Sequence, residues 1–292
     1  MSVTKRFAIM GVGGYVAPKH LQAIYDLGHL VVAAMDINDS VGILDRYFPN
    51  CQFFKEFERF ERFLTKEKRE ERGIDYLTVC TPNYLHDAHC RFGLRIGADV
   101  ICEKPLVLNP WNLEALIEAE RQSDHQIANI LQLRHHPEIT KLKKKIDQSK
   151  ERHQVVLNYI TPRGGWYDVS WKGEMAKSGG TTTNIGVHLF DLLLWIFGPM
   201  EEIVSLDNQP RMSKGALKLE KADVQWKLSI DFSDLPKDQS SLRQIICDGV
   251  EVKLDYGFDG LHKVCYEHIL GEDLVRPKDL SPLIDLMYQL RK

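Results

Sequence analysis

Lys104 is the residue of this 292-residue chain whose setting most suggests chemistry. It follows the apolar run 98–102, which reads as a buried strand, and it lies within Glu103-Lys104-Pro105. Pro105 fixes its own φ and biases Lys104 away from helix, towards an extended conformation. The lysine is therefore expected at the C-terminal end of a parallel strand, the edge at which open α/β sheets bind ligands. Burial, or a second cation beside it, favours the neutral amine, which can accept a proton near working pH. Glu103 would act oppositely if it paired with Lys104. His188 is the second candidate for proton transfer or for aligning a hydroxyl group. If residues 180–197 form a helix, Asn184 and His188 share a face at i, i+4. Asp191 could orient the imidazole, and Gly186 would allow close approach of a ligand or of backbone.

A second group of residues suits a dinucleotide. Gly11-Val12-Gly13-Gly14-Tyr15-Val16 joins a strand-like run to a helix opened by Pro18. Glycines at such a turn let backbone N–H groups approach a pyrophosphate at the helix N-terminus. Val16 fills the third glycine slot of G-x-G-x-x-G, so the turn alone is an incomplete match. The next apolar run, 30–35, ends at Asp36, a distance that suits an acidic group on the adenosine ribose. A carboxylate there repels a 2′-phosphate, which favours NAD over NADP. Thr81-Pro82-Asn83 follows another strand-like run and reaches the same sheet edge, where its amides and Asn83 could meet the nicotinamide side.

The elements that must position these residues alternate. Runs 7–10, 30–35, 76–80, 99–102 and 127–131 read as strands. Helical patterns fall at 18–27, 56–68, 86–96, 111–123 and 137–148. This βαβα order predicts a doubly wound parallel sheet. The second half is different: strand-like segments at 154–160, 202–206, 216–219, 224–232, 244–247 and 250–254, with helices at 180–197, 260–270 and 281–291. Strands in series with helices on one side predict an α+β domain with an open, mostly antiparallel sheet. The expected division is a Rossmann domain over 1–135 and a substrate and oligomerisation domain over 136–292, with the C-terminal helix able to pack back on the first.

Composition bounds the rest. Hydrophobic residues make up 43% and charged residues 27%, ordinary for a water-soluble globular chain. A net charge of −3 argues against nucleic acid as the main partner. The longest apolar stretch, 189–197, is too short to span a membrane and contains Asp191. The six cysteines form no Cys-x-x-Cys, so neither a metal cage nor a disulfide framework is expected. With no secretory pattern at the start, a reducing cytoplasm is the expected compartment.

The glycine turn with Asp36, Thr81-Pro82-Asn83, Glu103-Lys104-Pro105 and the segment ending in His188 together resemble the Gfo/Idh/MocA oxidoreductases, over essentially the whole chain. The resemblance implies an NAD-dependent sugar or cyclitol dehydrogenase with a Rossmann domain and an α/β substrate domain. It extends the implied cofactor contacts to Gly11, Gly13, Gly14, Tyr15, Val16, His86, Glu103 and Gln132. The family commonly has Asp where this chain has Asn184, which leaves that position hydrogen bonding rather than acid–base work. Tyr47-Phe48-Pro49, Asn109-Pro110-Trp111-Asn112, Leu131-Gln132-Leu133-Arg134 and Arg163-Gly164-Gly165-Trp166-Tyr167 are similar to the WlbA/WbpB branch. Its members oxidise C3 of UDP-N-acetylglucosaminuronic acid for bacterial surface polysaccharide.

On that resemblance the substrate is an anionic nucleotide sugar and the assembly a homo-oligomer, expected to be a tetramer formed through the open sheet face. Arg163 or Lys172 would meet the diphosphate or the uronate carboxylate, Arg163 being suited to bidentate recognition. Trp166 and Tyr167 could wall the sugar, or with Trp171 pack an interface. Arg134, His135 and His136 also stand at a sheet edge and could touch substrate. Lys104 is the favoured base, with His188 as its rival. Two other functions fit fewer of these residues: a dehydrogenase of a neutral sugar or inositol, and a non-catalytic NAD-binding regulator.

Overall fold

A computed structural model of the chain describes residues 3–254 and 260–292. In chain order the first elements are β1 (Arg6–Met10), α1 (Ala17–Asp26), β2 (Leu30–Met35), α2 (Ile43–Tyr47), β3 (Gln52–Phe54), α3 (Phe57–Arg69), β4 (Tyr76–Val79), α4 (His86–Ile96), β5 (Asp99–Cys102), α5 (Pro110–Arg121) and β6 (Ile127–Asn129). Their strands form one six-stranded sheet in the order β3-β2-β1-β4-β5-β6. All its pairings are parallel. This is the doubly wound order whose ligand edge lies at the strand C-termini. Phe7, Ile9, Leu77, Val100 and Ile101 are fully or almost fully buried, as a sheet covered on both faces requires. Gly93 lets α4 press onto that sheet, because a Cβ there would stand 2.4 Å from the Val100 side chain.

The remaining elements are α6 (Pro137–Gln148), β7 (His153–Ile160), α7 (Met175–Ser178), α8 (Gly180–Asn184), α9 (Val187–Phe197), β8 (Met200–Gln209), β9 (Met212–Leu219), β10 (Ala222–Ser229), β11 (Leu242–Cys247), β12 (Val250–Val252), α10 (Leu261–Leu270) and α11 (Ser281–Gln289). The second sheet runs β12-β11-β7-β10-β9-β8. Only the β7–β10 pairing among them is parallel. Alternation along β7 and β10 buries Val155, Leu157, Val224, Trp226 and Leu228 on one face. Trp226 meets Phe190 of α9 edge-on with ring centroids 5.6 Å apart. The opposite face carries Gln154, Asn158, Gln225 and Lys227 and stays open to solvent or half-buried.

Two compact units result. The first comprises Met1–Val107, Trp111–Ile130 and Gly260–Leu280, the second Leu108–Pro110, Leu131–Asp259 and Ser281–Lys292. The chain thus crosses between units more often than a single boundary at 135/136 anticipates. The segment that returns to the first unit carries α10, whose Cys265, Tyr266 and Ile269 enter the same buried cluster as Phe7, Leu21 and Ile24.

Three other differences from the sequence reading have local causes. β3 and α2 are only three and five residues long, below the length at which a period shows. The strands β8 and β9 extend beyond their apolar runs because antiparallel pairing carries through polar residues such as Asp207 and Lys214. The expected helix over 180–197 is two helices with a break at Ile185-Gly186.

Candidate active site

The first unit forms a tight glycine turn between β1 and α1. Gly11 has φ +83°, and a Cβ there would stand 2.6 Å from the Cys80 carbonyl, so only glycine fits between β1 and the end of β4. The Gly13 N–H donates to Asp36 Oδ2 at 2.9 Å. The Asn38 N–H donates to Oδ1 at 2.9 Å, which fixes the carboxylate at the end of β2. At the start of α1 no side chain caps the helix and no acidic residue lies in the first turn. Among the described residues the Tyr15 and Val16 amides donate to no backbone carbonyl. Unsatisfied N–H groups at a helix N-terminus attract a phosphate. These groups fit a dinucleotide: Gly11, Gly13, Gly14, Tyr15 and Val16 would surround its pyrophosphate, and Asp36 its adenosine ribose.

Two further loops meet beside this turn within the same unit. Thr81-Pro82 leads into a short 3-10 turn at Asn83–Leu85, with Asn83 buried. Glu103-Lys104-Pro105 leaves β5, and the Lys104-Pro105 peptide is cis. His86 joins the two loops. Its Nδ1 lies 2.7 Å from Pro105 O and its Nε2 2.8 Å from Thr81 O. Burial pushes this ring's pKa down, against the two carbonyl contacts that raise it. His86 was expected to touch the cofactor. With the ring only 1% exposed and both nitrogens engaged, it is instead a bracket between loops.

Glu103 also corrects an expectation. Its side chain turns into the protein rather than towards a cofactor. Oε1 receives His20 Nε2 at 2.9 Å and His262 Nε2 at 3.3 Å, and Oε2 accepts the Lys104 N–H at 3.2 Å. Burial alone would raise the carboxyl pKa; the two histidine hydrogen bonds outweigh it and hold the group well below the usual carboxylate range. Asn129 Nδ2 donates to the carbonyls of Cys102 and Glu103 at 3.0 and 3.1 Å, so the strand end that carries Lys104 is fixed on every side.

The second unit presents His188 and Asn184, both half-buried in a surround of buried residues. Asn184 Nδ2 donates to the Tyr167 hydroxyl at 2.8 Å. Tyr167 was a candidate wall for a sugar, but it is 2% exposed and packs against Ile185 and Ile230. Its work is to hold Asn184, and burial raises its phenol pKa. Gly186 answers the close-approach question: a Cβ would stand 2.4 Å from Thr182 O and 2.5 Å from Leu228, so backbone and core, not a ligand, require it. Asp191 does not serve the His188 ring. Both of its oxygens take Arg134, Oδ2 from Nε at 2.9 Å and Oδ1 from Nη2 at 2.5 Å. Arg134, one of the residues at a sheet edge that could touch substrate, is here engaged in a part-buried ion pair and stacks on Trp195. Gln132 Oε1 is buried and accepts no hydrogen bond among the described residues, so it is an acceptor available to a ligand donor.

The loop with Arg163 and Lys172 is more open. Trp166 is 55% exposed. Lys172 Nζ lies 4.5 Å from the Trp171 ring centroid and 5.8 Å from that of Trp166. Arg163 Nη1 donates to Thr161 Oγ1 and to Pro162 O. The loop is tied down by Arg211, which the sequence reading missed: it takes both oxygens of Asp168 at 2.7 and 2.6 Å and donates to Arg163 O at 2.6 Å. His20 and His262 were also missed. Each sits in a helix pattern where a histidine looks like an ordinary core polar residue.

The Gfo/Idh/MocA description "Oxidoreductase family, NAD-binding Rossmann fold" matches residues 5–131, and "Oxidoreductase family, C-terminal alpha/beta domain" matches residues 143–226. The WlbA (WbpB) dehydrogenase of Thermus thermophilus, solved with NAD and α-ketoglutarate, is 40% identical, with a TM-score of 0.96 over 99% of this chain and 95% of that one. The same enzyme with NAD and UDP-GlcNAcA gives a TM-score of 0.95 at the same identity and coverage. A curated relative, the putative UDP-kanosamine synthase oxidoreductase subunit of Amycolatopsis mediterranei, is 28% identical over 186 residues, 63% of this chain and 51% of that protein. The chain therefore spans about half the length of that relative. It belongs to the Gfo/Idh/MocA oxidoreductase family, and its first unit is that family's NAD-binding Rossmann fold.

Proposed function

We propose that this Gfo/Idh/MocA oxidoreductase is an NAD-dependent dehydrogenase that oxidises the C3 hydroxyl of UDP-N-acetylglucosaminuronic acid to the 3-keto sugar. The observation that carries the reading is its likeness, over nearly the full length of both chains, to a dehydrogenase solved with NAD and UDP-GlcNAcA at 40% identity. When bound, NAD supplies the hydride acceptor for such an oxidation. Lys104 takes the hydroxyl proton as general base. The strand end that carries it is held by Asn129, by Glu103 and by the His86 bracket, so the amine has a fixed origin. His188 donates a hydrogen bond that aligns the hydroxyl, or serves as base in its place. Asn184, steadied by Tyr167, contacts the sugar. Gln132, Asn83 and Thr81 serve the nicotinamide side, and Asp36 selects NAD by repelling a 2′-phosphate. Arg163 and Lys172 meet the anionic groups of the substrate, with Trp166 beside them.

The same reading places the enzyme in surface polysaccharide synthesis, in the cytoplasm, where a reducing medium suits its free thiols. It assembles as a homotetramer through the open face of the second sheet. Light scattering on the purified protein tests the tetramer. A substrate panel tests the reaction. Absorbance of reduced nicotinamide should develop with NAD and UDP-N-acetylglucosaminuronic acid. Turnover of free hexoses or inositol, with none of the nucleotide sugar, would replace this reading with a neutral-sugar dehydrogenase.

A further inference from the structure

The first unit holds a buried polar chain that the proposed reaction does not use. Thr78 Oγ1 lies 3.1 Å from the Tyr266 hydroxyl, and that hydroxyl 2.9 Å from His20 Nδ1. His20 Nε2 then reaches Glu103 Oε1 at 2.9 Å, and His262 Nε2 meets the same oxygen at 3.3 Å. One proton order satisfies every contact. Thr78 donates to Tyr266, Tyr266 to Nδ1 of His20, and both Nε2–H groups to the carboxylate. Glu103 Oε2 takes the Lys104 N–H. At 2.9 Å, His20 and Glu103 are in direct hydrogen-bond contact, too close to be two ligands of one metal ion, which would stand about 3.3 Å apart around it.

The charges around this chain leave Glu103 as the ion that matters to Lys104. From α1, His20 is pushed down by burial despite Glu103, and Lys19 lies beyond it. From α4, the ring of His86 is pushed down by burial. The thiols of Cys80 and Cys102 at the strand ends are pushed up by burial. On α10, beside His262, burial pushes Cys265 up to about 12 and the Tyr266 phenol well above its ordinary value. A carboxylate one residue from the proposed base would, if turned towards it, stabilise the ammonium form and oppose proton abstraction.

We propose that His20 and His262 are positioning residues for Lys104: they hold the Glu103 carboxylate turned into the protein, so that its charge is spent on ring N–H groups and on the Lys104 amide rather than on the Lys104 ammonium. The idea rests on Lys104 as the base. It makes helix α10 a working part of a strand end that precedes it by more than 150 residues.

The test is the acid limb of the kcat/KM pH profile for oxidation of UDP-N-acetylglucosaminuronic acid. His262→Leu removes one N–H donor, and the limb should move up by about one pH unit, a tenfold loss below it. His262→Gln restores a donor and should return the limb. Glu103→Gln removes the charge, and the limb should stay or move down. In the double variant H262L/E103Q the upward shift should vanish, an outcome that a purely structural role would not produce. A lower rate in H262L with an unmoved limb, or an upward shift that survives E103Q, overturns the proposal. If H262L does not fold, His262→Met, which also lacks the donor, and its double variant with E103Q carry the same decision. The pH dependence of Lys104 acylation by acetic anhydride, read by mass spectrometry, gives its proton affinity independently of catalysis. Lys104→Ala with undiminished turnover would remove the base reading, while the acylation series would still judge the histidines.

Discussion

The strand end that carries Lys104 and the loop that carries Arg163 are held in opposite ways. Around Lys104 the bonds are buried and few of them depend on charge: Asn129 to two carbonyls, His86 to two more, the Lys104 amide to Glu103. Around Arg163 the ties are surface ion pairs and stacked cations, with Arg211 bridging Asp168 and Lys172 lying over two tryptophans. The first arrangement suits the proton-transfer role proposed for Lys104, where small displacements are costly. The second suits the adaptable subsite for anions proposed for Arg163 and Lys172, whose attraction salt would screen.

The contrast can be broken at several points. Lys104→Ala should lower kcat for sugar oxidation by about 10²–10⁴-fold while NAD still binds, as stopped-flow hydride transfer and cofactor titration would show. Asp191→Ala leaves the part-buried Arg134 guanidinium unpaired, and should cost about 1–3 kcal/mol in urea-monitored stability. Arg163→Ala should raise KM for the nucleotide sugar by about tenfold with stability nearly unchanged; the same loss of stability as in D191A would erase the distinction between the regions. Lys172→Ala should weaken substrate binding less, by about 0.5–1 kcal/mol in calorimetry, since a cation stacked on tryptophan rings near the surface contributes about that much.

A further expected effect concerns pH. Burial lowers the His89 pKa from 6.5 to about 4 in the folded chain. Below pH 6.5 the unfolded chain therefore binds a proton there that the folded chain refuses until about pH 4. Stability falls as pH drops through that window, and His89→Gln should flatten that part of the decline. Denaturation midpoints at pH 7 and pH 5 for both proteins measure it.

Much of the first unit was legible because its signals are local. The glycine turn, Asp36, Thr81-Pro82-Asn83 and Lys104 each announce themselves within a few residues, and parallel strands buried on both faces read as apolar runs. The residues that hold those signals in place were not legible. His262 meets Glu103 across 159 positions of sequence, and Arg211 meets Asp168 across 43. No period or spacing records such a pairing. Asp191 shows the converse hazard: three residues from His188 it looked like its partner, yet a guanidinium from a distant turn claims both its oxygens. Trp166 and Lys172 were legible as a cationic aromatic loop, but Tyr167 was not separable from Trp166 until burial divided them.

Tyr266 is fully buried and its ring centroid stands 6.0 Å from that of Phe7. The strand β1 is therefore packed against a helix, α10, that the chain reaches only after every strand of both sheets. A nascent chain halted before residue 260 would hold a sheet whose flank of Phe7, Leu21 and Ile24 still faces water. Completion of the first unit during synthesis must then wait for α10. Expression of residues 1–135 alone should yield an aggregating fragment, and supplying 260–280 on a short linker should rescue it.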